Sequence, residues 1–203
     1  MPSKTIKIFV KNPEKGAVKT RLAVSVGQEK ALFVYEKLLG YTKNLVLDVE
    51  AQKEVWYSKF VDHNDQWSEG FFIKKLQSGS NLGERMKQAF KESFSESAKQ
   101  KVVLIGSDCA ELTTEIIDQA FEKLRVIDLV IGPAEDGGYY LIGMSKFIPE
   151  IFDGIDWSTE SVLSQTFTKA RNSYAKVSLL PKLNDVDTIE DWEKVKERFN
   201  TND

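Results

Sequence analysis

The chain has 203 residues, 28 basic against 31 acidic, with a formal net charge of −3. That length suits one domain with its own core, and that balance argues against a general nucleic-acid binder held by phosphate neutralisation. One cysteine, Cys109, rules out an internal disulfide, and one histidine, His63 in the polar stretch Asp62-His63-Asn64-Asp65, leaves almost no room for a His/Cys zinc site.

A metal in this chain would therefore have carboxylate ligands and be a hard ion such as Mg²⁺ or Mn²⁺. No apolar run approaches the roughly 20 residues of a membrane span. Lys4 and Lys7 make the amino-terminal strand too charged for a signal peptide. A cytoplasmic protein forming a single domain over 1–203 is the expectation.

In chain order, Ile6 to Val10 is short and β-branched and predicts a first strand, followed by a loop rich in Pro, Gly and Lys. Ala31, Tyr35, Leu38, Leu39 and Leu45 recur at helical spacing and predict a helix from about Gln28 to Leu47. Val55-Trp56-Tyr57 and Phe71-Phe72-Ile73 predict strands flanking a polar loop. Asn81 predicts the start of a helix over Leu82 to Phe94. The fully apolar Val102-Val103-Leu104-Ile105 predicts a central parallel strand, with a crossover helix over Thr113 to Leu124 and a next strand at Leu129-Val130-Ile131. A strand at Tyr139 to Ile142, a helix near Glu160 to Ala170, a strand near Lys176 to Leu180 and a helix from Thr188 complete the chain. This alternation predicts a three-layer α/β/α fold with a mostly parallel sheet, whose ligands sit beyond the carboxyl ends of the strands.

Several segments carry candidate chemistry. The loop from Lys11 to Leu22 holds Lys11, Lys15, Gly16, Lys19 and Arg21. Gly16 permits close backbone approach, and Lys19 and Arg21 supply charge-assisted donors for phosphate oxygens. The loop is neither a Walker loop nor a dinucleotide glycine fingerprint, so a nicotinamide oxidoreductase is the weakest reading. Gly106-Ser107-Asp108-Cys109 follows the most apolar strand, where Asp108 can hold a metal bridging phosphates or simply cap a turn. In Asp185-Val186-Asp187-Thr188-Ile189-Glu190-Asp191, two roles compete: Asp187 or Thr188 caps the last helix, or Asp185 and Asp187 supply a second metal ligand. Asp136-Gly137-Gly138 either makes a tight turn or leaves room for an acceptor with Asp136 as base or ligand. Gln77, Gly79, Leu82 and Gly83 lie where a helix start reads a base or phosphate or is merely capped. The segment Phe152 to Thr159, with Trp157, is expected only to pack over the sheet.

Taken together, Lys19-Thr20-Arg21-Leu22, Leu82-Gly83-Glu84-Arg85-Met86, Gly106-Ser107-Asp108-Cys109, Asp136-Gly137-Gly138-Tyr139-Tyr140 and Asp185-Val186-Asp187-Thr188 resemble one family. It comprises glycosyltransferases similar to phospholactate guanylyltransferase, within the nucleotide-diphospho-sugar transferase superfamily. The resemblance implies a GT-A type fold, a base near Gln77 to Gly83, the metal at Asp108 with Asp185 or Asp187, and an acceptor near Gly137 and Gly138. It implies a metal-dependent transferase taking a nucleotide or nucleotide-sugar donor and a small-molecule acceptor, either glycosyl or nucleotidyl, or a non-catalytic nucleotide binder. Ala110 departs from the proline usual after Gly-Ser-Asp-Cys, and Gly16 stands where characterised nucleotidyltransferases have two glycines.

Overall fold

A computed structural model describes residues 3–98 and 100–199. The elements run β1 (Ser3–Val10), α1 (Thr20–Val26), α2 (Gln28–Leu47), β2 (Gln52–Tyr57), β3 (Ile73–Leu76), α3 (Leu82–Glu96), β4 (Gln100–Ile105), α4 (Thr114–Lys123), β5 (Leu129–Pro133) and β6 (Tyr139–Met144). A 3₁₀ turn (Pro149–Phe152), α5 (Val162–Asn172), β7 (Val177–Leu179), α6 (Ile189–Val195) and a second 3₁₀ turn (Lys196–Phe199) follow.

The seven strands form one sheet in the order β3-β2-β1-β4-β6-β5-β7. All neighbouring pairs are parallel except those made by β6, which runs antiparallel to both β4 and β5. The chain moves outward from β1 to β3 and then returns to place β4 on the other side of β1. The crevice beyond the ends of β1 and β4 is thus the switch point where open α/β sheets bind ligands.

Alternation along the strands explains the layers. Ile6, Ile8, Val103 and Ile105 point to one face and pack with Tyr35 and Leu39 of α2 and Ile117 and Phe121 of α4. Phe9, Val102 and Leu104 point to the other, against Met86 and Phe90 of α3 and Ala170 of α5. A third cluster binds α1, α2 and α6 through Leu22, Ala31, Val34, Leu38, Trp192 and Val195, with Ala110 and Val186. This small cluster draws the segments before α1 and α6 toward the end of β4.

Three expectations change. The basic segment is not loop as far as Leu22: α1 begins at Thr20, with Lys19 in a left-handed conformation before it, and Gly27 at φ 82 separates α1 from α2. The third strand is Ile73–Leu76 rather than Phe71 to Ile73. Phe72 instead anchors the preceding loop, edge-on to Trp67 at 5.1 Å, because burial of the aromatic pair outweighs strand propensity there. Strands and helices do not alternate throughout, since β5 turns directly into β6 through Ala134–Gly138, where Ala134 N–H donates to the Gly138 carbonyl at 3.0 Å. Among the described residues, no helix is long and apolar enough to cross a membrane.

Candidate active site

Four chain segments meet beyond β1 and β4. Lys11 and Lys19 come from the β1–α1 connection and Arg21 from the first turn of α1, Asp108 from just after β4, Asp136 and Gly138 from the β5–β6 turn, and Asp185 and Asp187 from the stretch before α6. All of them line one cavity of about 540 Å³.

Local bonds fix each segment. The Tyr35 hydroxyl on α2 accepts from Lys11 N–H at 2.8 Å, donates to the Lys11 carbonyl at 3.0 Å and lies 3.3 Å from Ser107 Oγ. It thereby ties the end of β1 to the end of β4. Val186 N–H donates to the Asp108 carbonyl at 2.9 Å, which fastens the Asp185–Asp187 stretch to the same place. Thr188 and Asp191 form a complete capping box for α6. Capping is therefore done by those two residues, and Asp185 and Asp187 are left to face the cavity.

The charges form an unequal cluster. Lys19 Nζ is buried, 3.0 Å from Asp108 Oδ1 and 3.4 Å from Asp187 Oδ1, and Arg21 Nη1 lies 3.2 Å from Asp187 Oδ2. Burial works against the Lys19 ammonium, yet Asp108 and Asp187 more than offset it and hold its pKa above the ordinary value. Asp108 Oδ1 is the enclosed oxygen and is the one that Lys19 meets, although the side chain is 40% exposed overall. Its other oxygen accordingly opens to the cavity. Asp185 has its pKa pushed up to about 7, first by burial and then by the neighbouring charges of Asp108, Asp136 and Asp187, against the opposing pull of Lys19. Negative charge thus exceeds positive at this spot. Among the described residues, no three Asp, Glu, His or Cys side chains form a ready-made ion cage.

The other candidates fall around this centre. Leu82 lines the cavity at the start of α3, whereas Gly16, Gln77, Gly79, Gly83 and Gly137 do not. The Gln77 amide is committed to the carbonyls of Val10 and Trp56 at 3.3 and 2.8 Å, holding the ends of β1 and β2. Asn81 caps α3 by accepting from Glu84 N–H. Asp136 accepts from Gly138 N–H at 2.9 Å, an Asx turn inside the β5–β6 hairpin. Cys109 is buried, with its thiol pushed up to about 12 by burial and nearby Asp185, and is unreactive in that state.

Sequence reasoning passed over Tyr35, Trp157, Ser158, Thr159 and Glu160, which all line the cavity. Tyr35 carries an ordinary core-helix signal. Nothing local marks 157–160, since its place depends on contacts with α3 and the β5–β6 turn.

A crystal structure of a "putative nucleotide-diphospho-sugar transferase" from Desulfovibrio desulfuricans G20 is 37% identical over all of this chain and 89% of that one, with a TM-score of 0.88. The inositol-1-phosphate CTP transferase from T. maritima shares the fold at 15% identity, covering 98% of this chain and 96% of that one, with a TM-score of 0.66. So does Rv0371C from Mycobacterium tuberculosis H37Rv, solved in complex with manganese, at 10% identity, 96% and 98% coverage and a TM-score of 0.60. No curated protein matches the sequence. Residues 42–159 match a family model described as "Uncharacterized protein conserved in bacteria (DUF2064)", and the chain belongs to that family.

Proposed function

We propose that this protein is a metal-dependent transferase with a nucleotide donor, and that glycosyl transfer from a nucleotide sugar is its leading reaction. The observation that carries this reading is the convergence of Lys19 and Arg21 with Asp108 and Asp187 within 3.4 Å at the β1/β4 switch point, on the wall of one cavity. The printed description of the 37% identical relative supports the same class.

The donor set is all hard oxygen, with an Asp108 side chain 40% exposed to the cavity beside its Lys19 contact and a carboxyl at Asp185 that is uneasy as an anion. Such a set fits Mg²⁺ or Mn²⁺, and Mg²⁺ in particular is usually held by one or two carboxylates together with substrate phosphates rather than by an all-protein cage. Asp108 with Asp185 or Asp187 would hold the ion, which supplies charge compensation to a departing diphosphate. Lys19 is already engaged by two carboxylates and keeps them apart and in place. Lys11 and Arg21 are the cations that meet the donor phosphates, Arg21 by its planar fork. Gly138 and Asp136 sit at the acceptor side.

A second reading, nucleotidyl transfer of the guanylyltransferase-like kind, has its own support in a relative named as a CTP transferase. The products decide between them. Incubation with Mn²⁺ and panels of nucleotide sugars and nucleoside triphosphates should release nucleoside diphosphate from one sugar nucleotide. Pyrophosphate from a triphosphate would select the second reading. Tight nucleotide binding without turnover of any donor would make the protein a non-catalytic binder.

A further inference from the structure

The cavity lining also includes residues 157–160 with Leu82, Tyr139 and Val162, which form a wall apart from the cationic segment. It is built tightly. A Cβ at Gly83, in the first turn of α3, would stand 2.4 Å from Trp157 Nε1, and a Cβ at Gly137 would stand 2.3 Å from the Glu160 carbonyl oxygen. Two bare backbone surfaces therefore seat this segment, and no other residue type fits at either place without displacing it. The Tyr139 ring meets Trp157 edge-on at 6.4 Å. Asp156 and Gln165 exchange two hydrogen bonds of 2.8 Å, and Thr159 Oγ1 donates to the Asp156 carbonyl at 2.7 Å. Ser158 is held at φ 66, which a non-glycine residue adopts only where its surroundings impose it.

This wall differs from the other in having no cation of its own. Every cation lining the cavity, Lys11, Lys19 and Arg21, comes from the β1–α1 connection or the first turn of α1. The Trp157 side offers aromatic and aliphatic surface, the hydroxyl of Ser158, and the carboxylate of Glu160, which has no hydrogen bond or ion pair among the described residues. A phosphate monoester placed here would face Glu160 and Asp136 with no compensating cation, an arrangement in which like charges raise the free energy of binding.

We infer that the acceptor bound by this wall is an uncharged molecule with an apolar ring face and hydroxyl groups, with Trp157 as its platform and Glu160 as the partner of its reacting hydroxyl. The inference rests on the reading that donor phosphates meet Lys11 and Arg21, and it favours the glycosyl over the nucleotidyl reaction. The acceptor oxygen forms a bond to the donor's anomeric carbon as the bond from that carbon to the diphosphate breaks. The electron pair leaves with the diphosphate, and the hydroxyl proton passes to Glu160.

The test uses two simple probes for the acceptor wall, phenyl β-D-glucopyranoside and phenyl phosphate, and inorganic pyrophosphate with Mn²⁺ for the phosphate wall, each followed by calorimetric titration. The glucoside is expected to bind the wild-type protein with or without pyrophosphate, and Trp157→Ala to weaken it by about tenfold or more, as for loss of a buried aromatic anchor. Trp157→Phe, which keeps a ring and guards against misfolding, should hold affinity within about threefold of wild type. Phenyl phosphate should bind only where pyrophosphate displaces it, and Glu160→Lys should strengthen it at the Trp157 wall. Glucoside affinity unchanged in Trp157→Ala, no glucoside binding to wild type, or phenyl phosphate affinity that falls in Trp157→Ala overturns the inference. Failure of pyrophosphate to bind while the glucoside does so removes the donor reading and leaves the character of the wall standing.

Discussion

Lys7 and Lys19 are both buried lysines facing carboxylates, and their surroundings differ in completeness. Lys7, in the middle of β1, meets Glu54 of β2 at 2.5 Å. Glu54 also accepts from Trp56 Nε1 at 2.9 Å and from Lys75 of β3 at 3.1 Å. Burial pushes the Glu54 carboxyl up, but Lys7 and Lys75 win and hold it below the usual range. That network is closed, lies under α3 and pins the register of three strands. Lys19, beyond the strand ends, faces more carboxylate charge than one ammonium can balance, and the surplus opens onto a cavity. A buried ion pair is thus a structural device where every lone pair is met, and a binding device where one is left over.

The largest expected effect breaks the closed network. Lys7→Met leaves Glu54 in the core with one cation fewer and should cost about 3–5 kcal/mol in urea unfolding, with pyrophosphate affinity unchanged. A loss below about 1 kcal/mol would remove the contrast. Next comes the open cluster. Asp108→Asn should stay folded yet lower turnover by about 10²-fold, equivalent to about 2.7 kcal/mol of transition-state stabilisation, measured with whichever donor the product panel identifies.

The third effect has the opposite sign. Because the folded protein holds the Asp185 proton more tightly than the unfolded chain, the stability this group contributes is full below about pH 4 and is lost as pH rises through about 7. Asp185→Asn should therefore stabilise the metal-free protein by at least about 1 kcal/mol at pH 8 and by almost nothing at pH 4. Equal differences at both pH values would show that Asp185 is not strained.

Much of this was legible in the sequence. The apolar period of α2 gives its ends correctly, Asn81 and Thr188 mark helix starts, and an aspartate after the most apolar strand lands in the crevice because parallel strands deliver their carboxyl ends there. The Phe71-Phe72-Ile73 run misled, since tertiary burial against Trp67 took Phe72 out of the strand. The start of α1 at Thr20 was hidden by Lys19 and Arg21, whose charges are met by Asp108 and Asp187, far away in the chain. The Trp157 wall was invisible for a similar reason: it exists because Gly83 and Gly137 leave space for a segment that reaches them from another part of the sheet. Local pattern carries element type well, but not the long-range charge matching and close approaches that make a site.

Metal-linked nucleotide affinity tests the shared centre most directly. Calorimetric titration of a nucleoside diphosphate panel into the wild-type protein and Asp108→Asn, each with and without Mn²⁺, should show at least one nucleotide whose Kd falls about tenfold or more with Mn²⁺ in the wild type and does not change in the variant. The same Kd in all four titrations, for every nucleotide that binds, would mean that the cations after β1 and the carboxylate after β4 do not act on one phosphate chain.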